Sequence, residues 1–457
     1  MTTKLAGGRV YDPLNGIDGK VMDLWVRDGR IVPAPEGGRA DEVIDLAGKV
    51  VMPGGIDLHS HIGGGKVNIA RMMLPEEHRA HVQPAQGGCR CGSGHASPST
   101  FSTGYAYARM GYTMAFEPAM LPINARQAHQ EMADIPLLDK GAYVLLGNDD
   151  LFLKLVQERA GPDAIADYVA WTLAATQALA VKIVNPGGVE IWKSGGGNAA
   201  GLDGPVAHFG VTPRQIITQL SQTAIDLRLP HPVHVHCNNL GVPGNWQTTL
   251  ETMRALEGHR GHITHIQFHS YGGGNADENT FNSKVSQLAD YVNAHDNLTV
   301  DVGQVLFGST TSMTGDGPLG YFLSKVYGGK WFSSDTEMEG GCGITPIKYK
   351  NKSLVHALQW AIGLEWYLLV NDPWRVVMRP SASSRASAAR NVSRFTPRAS
   401  ESSRSEGRRD PGAKRPARIS AWSRSATAST TLDRAMGTSD MTFEASSAEA
   451  LAEASAM

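Results

Sequence analysis

The chain has 457 residues, of which 41% are hydrophobic and 19% are charged, so it is long enough to bury a large core. Its 42 Lys and Arg residues against 44 Asp and Glu give a formal net charge of -2, which argues against a polyanion-binding protein. There is no run of 18 apolar residues, and four cysteines are too few for a disulfide framework. Because the first eight residues also lack an apolar segment, we expect a cytoplasmic protein that binds neither nucleic acid nor a membrane.

Residues 1–52 predict a small all-β module, an incomplete β-sandwich. Two apolar segments, residues 21–26 and 31–32, flank the turn formed by Asp28 and Gly29 and predict a hairpin. A Pro-Gly-Gly turn at residues 53–55 ends the module.

Residues 53–378 alternate between strand-like and helix-like segments, which predicts an α/β fold. The predicted strands are 55–58, 113–117, 142–146, 180–184, 232–236, 262–268, 298–302 and 374–378. The clearest helices are 212–227, with Thr212 suited to the N-cap and Pro213 to the first position, and 353–370, whose apolar residues all round predict burial. Eight strands alternating with helices indicate a (β/α)8 barrel of the TIM type, with a doubly wound sheet as the alternative.

The composition changes abruptly after Met378. In residues 379–457, 17 Ser, 17 Ala and 12 Arg fill 46 of 79 positions. A segment so poor in large apolar side chains cannot offset its own ordering entropy, so we expect a disordered low-complexity tail. A genuine extension and translation in a shifted reading frame both explain it, and the abrupt start favours the shifted frame.

A His-x-His pair, His59 and His61, follows the first predicted barrel strand. Residues i and i+2 of a strand point the same way, so both imidazoles would project from one face at the strand's carboxyl end. Barrel active sites are built at that end, and neutral imidazole is a natural zinc ligand. The alternative is a pair of surface or hydrogen-bonded histidines.

Lys182 lies inside the apolar strand 180–184, where a bare ammonium group is costly to bury. A lysine carbamylated by CO2 would instead be an anionic oxygen ligand able to bridge two metal ions. A lysine whose charged end reaches solvent is the structural alternative.

Further histidines lie at two later strand ends, together with an amide-rich turn. They are His234 and His236, followed by Asn238 and Asn239, and then His265 and His269. Several histidine clusters at successive strand ends indicate a polynuclear metal site.

Residues 59–61, 182–188, 234–245 and 265–272 resemble the amidohydrolase superfamily. More narrowly, they resemble the family that comprises the A-type subunits of formylmethanofuran dehydrogenase and, in methylotrophic bacteria, of the formyltransferase/hydrolase complex. The resemblance runs from about residue 5 to residue 378. The His-x-His pair indicates only the superfamily, whereas residues 238–245 and 267–272 narrow it.

The resemblance implies a (β/α)8 barrel with a small β-sandwich and a site for two zinc ions. Carried over to this chain, the resemblance implies that His59 and His61 bind one zinc ion and that His236 and His265 bind the other. Carbamylated Lys182 would bind both ions. His234 and His269 would be alternative ligands or would line the substrate pocket, together with Asn238 and Asn239. The implied reaction is hydrolysis of N-formylmethanofuran to formate and methanofuran, or the reverse condensation, in one-carbon metabolism with the other subunits of the complex.

The sequence departs from this pattern at the expected eighth strand, after which the superfamily places an Asp that orients the water. The first Asp after Met378 is Asp410, inside the low-complexity tail, so no catalytic residue is assigned. Two alternatives therefore remain open. One is a cyclic-amide hydrolase of the dihydropyrimidinase or dihydroorotase type, and the other is a non-catalytic subunit.

Overall fold

The structure is a computed structural model that describes residues 1–72, 99–193, 201–274, 280–303, 308–313 and 344–376. The low-complexity tail and the position expected for the Asp after Met378 lie outside these residues. Within them, no helix has the length and apolar character needed to span a membrane.

Strands and helices alternate through most of the described residues. The strands are β1 Thr2–Asp12, β2 Ile17–Arg27, β3 Arg30–Val32, β4 Glu42–Asp45, β5 Val50–Val51, β6 Gly55–Asp57, β7 Tyr112–Met120, β8 Asp139–Leu145, β9 Ala180–Val184, β10 Val233–His236, β11 Gly261–Ile263, β12 Tyr271–Gly272, β13 Asn282–Ser283, β14 Leu298–Val300, β15 Gly308–Met313 and β16 Ile344–Tyr349. The α-helices are α1 Gly65–Met72, α2 Thr100–Arg109, α3 Ala125–Ala133, α4 Asp150–Gln157, α5 Pro162–Thr176, α6 Gly188–Lys193, α7 Pro213–Asp226, α8 Trp246–Ala255, α9 Val285–Ala294 and α10 Leu354–Leu369.

The N-terminal strands form a separate five-stranded sheet in the order β3-β2-β1-β4, with β5 also paired to β1. The predicted hairpin is confirmed, since β2 and β3 pair antiparallel across a turn. Asp28 and Gly29 both have positive φ angles, 51° and 73°, as a two-residue hairpin turn requires.

Seven parallel strands form the central sheet in the order β14-β11-β10-β9-β8-β7-β6. The strands of this sheet are neighbours in the same order in which they occur along the chain, and β12 and β13 form a separate small sheet. The sheet therefore lacks the reversal of strand order that defines a doubly wound fold. The predicted TIM-type barrel is therefore confirmed, and the doubly wound alternative is excluded.

This sheet is curled rather than flat. Strands β6 and β11 are separated by four others, and in a flat sheet they would lie about 24 Å apart. Yet His59, just after β6, has its Nδ1 atom 2.6 Å from Oγ1 of Thr264, just after β11. The curl brings the carboxyl ends of distant strands together.

The predicted eighth strand, residues 374–378, is wrong over its described part. Pro373–Arg375 is a 3-10 helix, because the side chain of Asp372 accepts a hydrogen bond from the Trp374 N–H and Pro373 fixes its first φ angle. The Arg375 guanidinium then donates to the carbonyl oxygen of Leu298, which holds this turn against β14.

The predicted N-cap at Thr212 is confirmed, and the structure adds a cap at the second long helix. Thr212 forms a capping box with Gln215 at the start of α7, and Ser353 caps α10. The predicted burial of α10 is wrong, however. Ile362 and Trp366 face the core, whereas Leu354 and Leu368 on the other side are 82% and 71% exposed. An apolar composition therefore did not indicate burial on every side.

Candidate metal centre

A row of polar side chains crosses the interior of the curled sheet. The strand register pairs Lys182 with His234, His234 with His262, and His262 with Thr299. Residues paired across parallel strands point to the same face, and Lys182, His234 and His262 are all buried. Barrel interiors are usually filled by bulky branched side chains, so this polar row marks a candidate site.

The first cluster consists of His59, His234 and Asp301. His59 and Asp301 follow strands β6 and β14, and His234 lies within β10. One ligand atom from each lies within 4.8 Å of the other two. The Nδ1 atom of His59 is 3.0 Å from Nε2 of His234, and Oδ2 of Asp301 is 4.0 Å from the same Nε2. Donors around one tetrahedral zinc ion are about 3.3–3.5 Å apart, so this spacing fits a metal ion with small adjustments.

Asp301 is held in place by two hydrogen bonds. Its Oδ1 accepts from the His265 backbone N–H at 2.6 Å, and its Oδ2 accepts from Nε2 of His262 at 2.8 Å. Burial raises the pKa of Asp301, but the hydrogen bond and charge of His262 and the bond from His265 together lower it below its ordinary value. The carboxyl group is therefore an anion near neutral pH, as a metal ligand must be.

The second cluster consists of His236, His265 and His269, all buried, with ligand atoms within 4.8 Å of one another. Their ring centroids are 4.7 Å apart for His236 and His265, 5.1 Å for His236 and His269, and 5.2 Å for His265 and His269. The Nδ1 atom of His265 and both ring nitrogens of His269 are buried without a hydrogen-bond partner among the described residues. Since such orphaned nitrogens are costly, a metal ion is a chemically suitable partner for them.

The backbone that presents this cluster differs from the regular strand predicted over residues 262–268. Strand β11 ends at Ile263, His265 has a left-handed φ of 37°, and Ile266–His269 is a 3-10 helix. The His265 N–H donates to the side chain of Asp301, so it is not available for a hydrogen bond to a neighbouring strand. The 3-10 turn also directs Gln267 to the backbone of Gly303 rather than along the face of a strand.

Lys182 is 1% exposed, and its Nζ atom has no hydrogen-bond partner among the described residues. Burial is the largest cause that lowers its pKa, to about 7, while the charge of Asp301 raises it. A large fraction of the side chain is therefore the neutral amine near neutral pH, and the neutral amine is the form that reacts with CO2. An orphaned, low-pKa amine fits the predicted carbamylated ligand better than a lysine that reaches solvent.

His61 lies outside both clusters. Strand β6 ends at Asp57, whose carboxylate accepts from the His59 N–H, so the pair lies on a bend rather than on a strand face. The His59 and His61 rings are 5.4 Å apart and nearly perpendicular. The Nδ1 atom of His61 is 3.1 Å from Oε1 of the buried Glu117, which also accepts from the N–H groups of Ile62 and Ala119.

The two asparagines also lie outside the clusters. Asn238 donates to Oδ1 of Asn185 at 2.8 Å and to the Pro186 carbonyl at 3.0 Å, while its own Oδ1 is buried without a partner in the described part of the chain. Asn239 has a left-handed φ of 61°, and its carbonyl accepts from Asn245. Both residues shape the turn after β10.

Burial holds the histidines of both clusters in the neutral form. It is the largest cause that lowers the pKa of each ring well below the ordinary value, and the nearby Lys182 charge acts in the same direction. Neutral imidazole is the form that binds metal ions. The residues concerned are His59, His234, His236, His265 and His269.

Sequence reasoning missed two acidic residues of the site, Asp301 and Glu117. Asp301 carries a signal that was available, because it follows the apolar segment of a correctly predicted strand, as His59 does. Glu117 closes the predicted strand 113–117 in the same way, although β7 continues to Met120. Acidic residues at strand ends are therefore as informative as histidines there.

Comparisons with known proteins identify the family of this chain. A model of the amidohydrolase family matches residues 42–394. The chain is 47% identical over 378 residues to protein FwdA of Methanocaldococcus jannaschii, a match that covers 80% of this chain and 65% of FwdA. It is 41% identical over 392 residues to the A-type subunit of the formyltransferase/hydrolase complex Fhc of Methylorubrum extorquens, which covers 83% of this chain and 68% of that protein.

A solved structure is also similar. In the crystal structure of the formyltransferase/hydrolase complex FhcABCD from Methylorubrum extorquens with methylofuran, one chain matches with a TM-score of 0.75 and 40% identity. The match covers 84% of this chain and 69% of that one. This chain thus spans about two thirds of the length of the relatives it matches.

Proposed function

Because this chain belongs to the amidohydrolase family, with FwdA and the A-type Fhc subunit among its relatives, we propose that it is a metal-dependent formamide hydrolase. Its substrate would be an N-formylated carrier amine of the methanofuran type, and its product formate. The observation that carries the proposal is the pair of donor clusters inside one barrel, one fully buried and one partly buried, with the orphaned amine of Lys182 in the same interior.

Each cluster would hold one divalent ion, which we take to be zinc because the donors are mainly imidazole. The first ion would be held by His59, His234 and Asp301, and the second by His236, His265 and His269. This assignment replaces His61 with His234 and adds Asp301 and His269 to the expected set. Bound ions would polarise the formyl carbonyl and lower the pKa of a water molecule.

Lys182 would complete the site as a carbamate. Its neutral Nζ attacks CO2, a new N–C bond forms, and one proton is released to solvent. The product is an anion with two oxygen donors, and it converts an orphaned buried amine into a ligand. Asp301 would act as a ligand rather than as the general base, because its lowered pKa makes it a weak base near neutral pH.

The reaction breaks the C–N bond of the formamide. Water supplies the oxygen that joins the formyl carbon, the amine leaves with a proton, and formate is released. The buried walls of the barrel would exclude bulk water and so strengthen the electrostatic interactions in the site. We infer that other subunits of a formyltransferase/hydrolase complex supply the N-formyl substrate, and that the same site can run the reverse condensation.

The test is formate release from N-formylmethanofuran by the purified full-length chain loaded with zinc. We expect release that depends on added zinc and that falls about 1000-fold or more in Lys182→Met. Lys140→Met is the matched control, since Lys140 is a half-buried lysine whose Nζ donates to the Ile135 carbonyl away from the site. Hydrolysis of dihydroorotate or dihydrouracil instead of the formamide would favour a cyclic-amide hydrolase. No hydrolysis of any of them would favour a non-catalytic subunit.

A further inference from the structure

We propose that His231 is a positioning residue that fixes the proton of His234 on Nδ1 and so presents Nε2 to a metal ion. The inference rests on the metal sites of the proposed function and names a residue outside both clusters. It follows from the contacts on the two sides of the His234 ring.

The His234 ring is contacted through both of its nitrogens. Its Nε2 atom faces the first cluster, 3.0 Å from Nδ1 of His59 and 4.0 Å from Oδ2 of Asp301. Its Nδ1 atom lies on the opposite side, 3.2 Å from Nε2 of His231. One nitrogen therefore faces the proposed metal position, and the other faces His231.

The proton positions follow from this arrangement. A metal ion needs the lone pair of Nε2, so the single proton of neutral His234 must be on Nδ1. Nδ1 can then donate only to an acceptor, and Nε2 of His231 is within reach when His231 carries its own proton on Nδ1.

His231 is rigidly placed for this role. It is 4% exposed and lies in the bend that precedes β10, between Pro230 and Pro232, whose rings restrict the backbone. Its ring stacks on Tyr143 with a centroid distance of 4.9 Å and an interplanar angle of 6°. A ring that is stacked, buried and flanked by prolines cannot turn its nitrogen away without disturbing the packing around it.

A second histidine does the same for the carboxylate of the cluster. Nε2 of His262 donates to Asp301 at 2.8 Å, and its Nδ1 lies 2.9 Å from the hydroxyl group of Thr299, so the ring is held from both sides. Two of the three ligands in the first cluster thus have an outer histidine that sets their proton or their orientation. Outer partners of this kind typically contribute 10- to 100-fold to metal affinity.

The experiment compares His231→Phe and His231→Gln in the full-length chain. Phe keeps an aromatic ring for the stack on Tyr143 but has no acceptor, whereas Gln has a side-chain oxygen that can accept from His234. We expect His231→Phe to weaken binding of one of two zinc ions about 10- to 100-fold in a chelator competition. We also expect a change in the visible absorption spectrum of the cobalt-loaded protein, and substantial recovery of both properties in His231→Gln.

His129→Phe is the matched control, because His129 is half-buried and its Nε2 contacts the Thr176 carbonyl away from the site. Circular dichroism and thermal unfolding of the metal-free variants show whether each remains folded. Wild-type zinc affinity and a wild-type cobalt spectrum in folded His231→Phe would overturn the inference. So would equal losses in the Phe and Gln variants, since those would indicate a packing role alone.

The outcomes separate this inference from the proposed function. A wild-type chain that binds two metal ions but releases no formate, with His231→Phe still impaired in binding one ion, would contradict only the formamide activity. A wild-type chain that releases formate, with His231→Phe binding both ions normally, would contradict only the role of His231. A chain that binds no metal ion would overturn both.

Discussion

The two histidine clusters differ in what holds their imidazoles. In the first cluster, His234 contacts His231, His59 contacts Thr264, and Asp301 accepts from His262. In the second, the Nδ1 atom of His265 and both nitrogens of His269 lack any partner within the described residues. The first cluster therefore keeps its orientation without a metal ion, whereas the second relies on the backbone turn after β11.

This difference has an energetic consequence. An unsatisfied buried polar group costs about 1–3 kcal/mol, so the second cluster destabilises the metal-free fold and gains most when an ion binds. In the proposed two-metal site, the hydrogen-bonded first cluster would gain less from an ion and would be the more rigid of the two clusters. Substitutions in one cluster should therefore have different consequences from substitutions in the other.

The largest effect is expected for Lys182→Met, because the carbamate would serve both ions. Methionine fills a similar volume without an amine, so the fold should remain intact. We expect the rate of formate release to fall about 1000-fold or more, equivalent to ~4 kcal/mol, together with loss of metal from both clusters. Rate and metal content measured side by side check this. Retention of two ions in the variant would show that Lys182 is not a ligand.

Asp301→Asn should affect one cluster only. The amide can still accept from the His265 N–H, so the second cluster keeps its backbone geometry, but the anionic ligand of the first is lost. We expect the metal content to fall from two ions to one and the rate to fall about 100-fold. Metal analysis after gel filtration measures the number of bound ions. A variant that keeps two ions would show that Asp301 is not a metal ligand.

A pair of leucine substitutions tests the contrast in the metal-free protein. His269→Leu replaces unsatisfied nitrogens with an apolar side chain, so the free energy of unfolding should stay the same or rise by about 1 kcal/mol. His234→Leu leaves His231 and His59 without their partner, so the free energy of unfolding should fall by about 1–3 kcal/mol. Urea unfolding in the presence of a chelator gives both values. The opposite order would contradict the proposed difference between the clusters.

The smallest effect concerns pH. The pKa of each cluster histidine is lowered by burial, whereas in the unfolded chain it is about 6.5. At a pH between the lowered pKa of the folded protein and the pKa of the unfolded chain, the unfolded state binds more protons than the folded state. The free energy of unfolding of the metal-free protein should therefore fall as the pH drops below about 6.5. Each histidine contributes about 1 kcal/mol between pH 6.5 and 5.5. His269→Leu should reduce this dependence by one histidine's share, and an unchanged slope would show that His269 is protonated in the fold.

Much of the fold was predictable from sequence, because alternating strands and helices have clear periodicities and caps. The strand Ala180–Val184 and the N-cap at Thr212 are examples in which local signals agree with the tertiary environment. The 3-10 helix Pro373–Arg375 was missed because its apolar residues resemble a strand. Only the Asp372 side chain and the contact with Leu298 make it turn.

The sequence predicted the histidines of both clusters and Lys182 as candidates, but it predicted neither Asp301 nor the division into two groups. The histidines were candidates because they lie at or near predicted strand ends, and Lys182 was a candidate because a charged group inside an apolar strand is costly to bury. The grouping of His59 with His234 depends on the curl of the whole sheet, which sequence spacing does not encode. The departure of His61 toward Glu117 depends on a side chain 56 residues away.

The central claim is that this barrel holds two metal ions in unequal surroundings. The most direct measurement is zinc titration of the full-length, metal-stripped chain, with bound zinc counted by mass spectrometry in the wild type, Asp301→Asn and His269→Leu. We expect two ions in the wild type and one in each variant. A wild-type chain with one ion or none, or variants that both keep two ions, would contradict the claim.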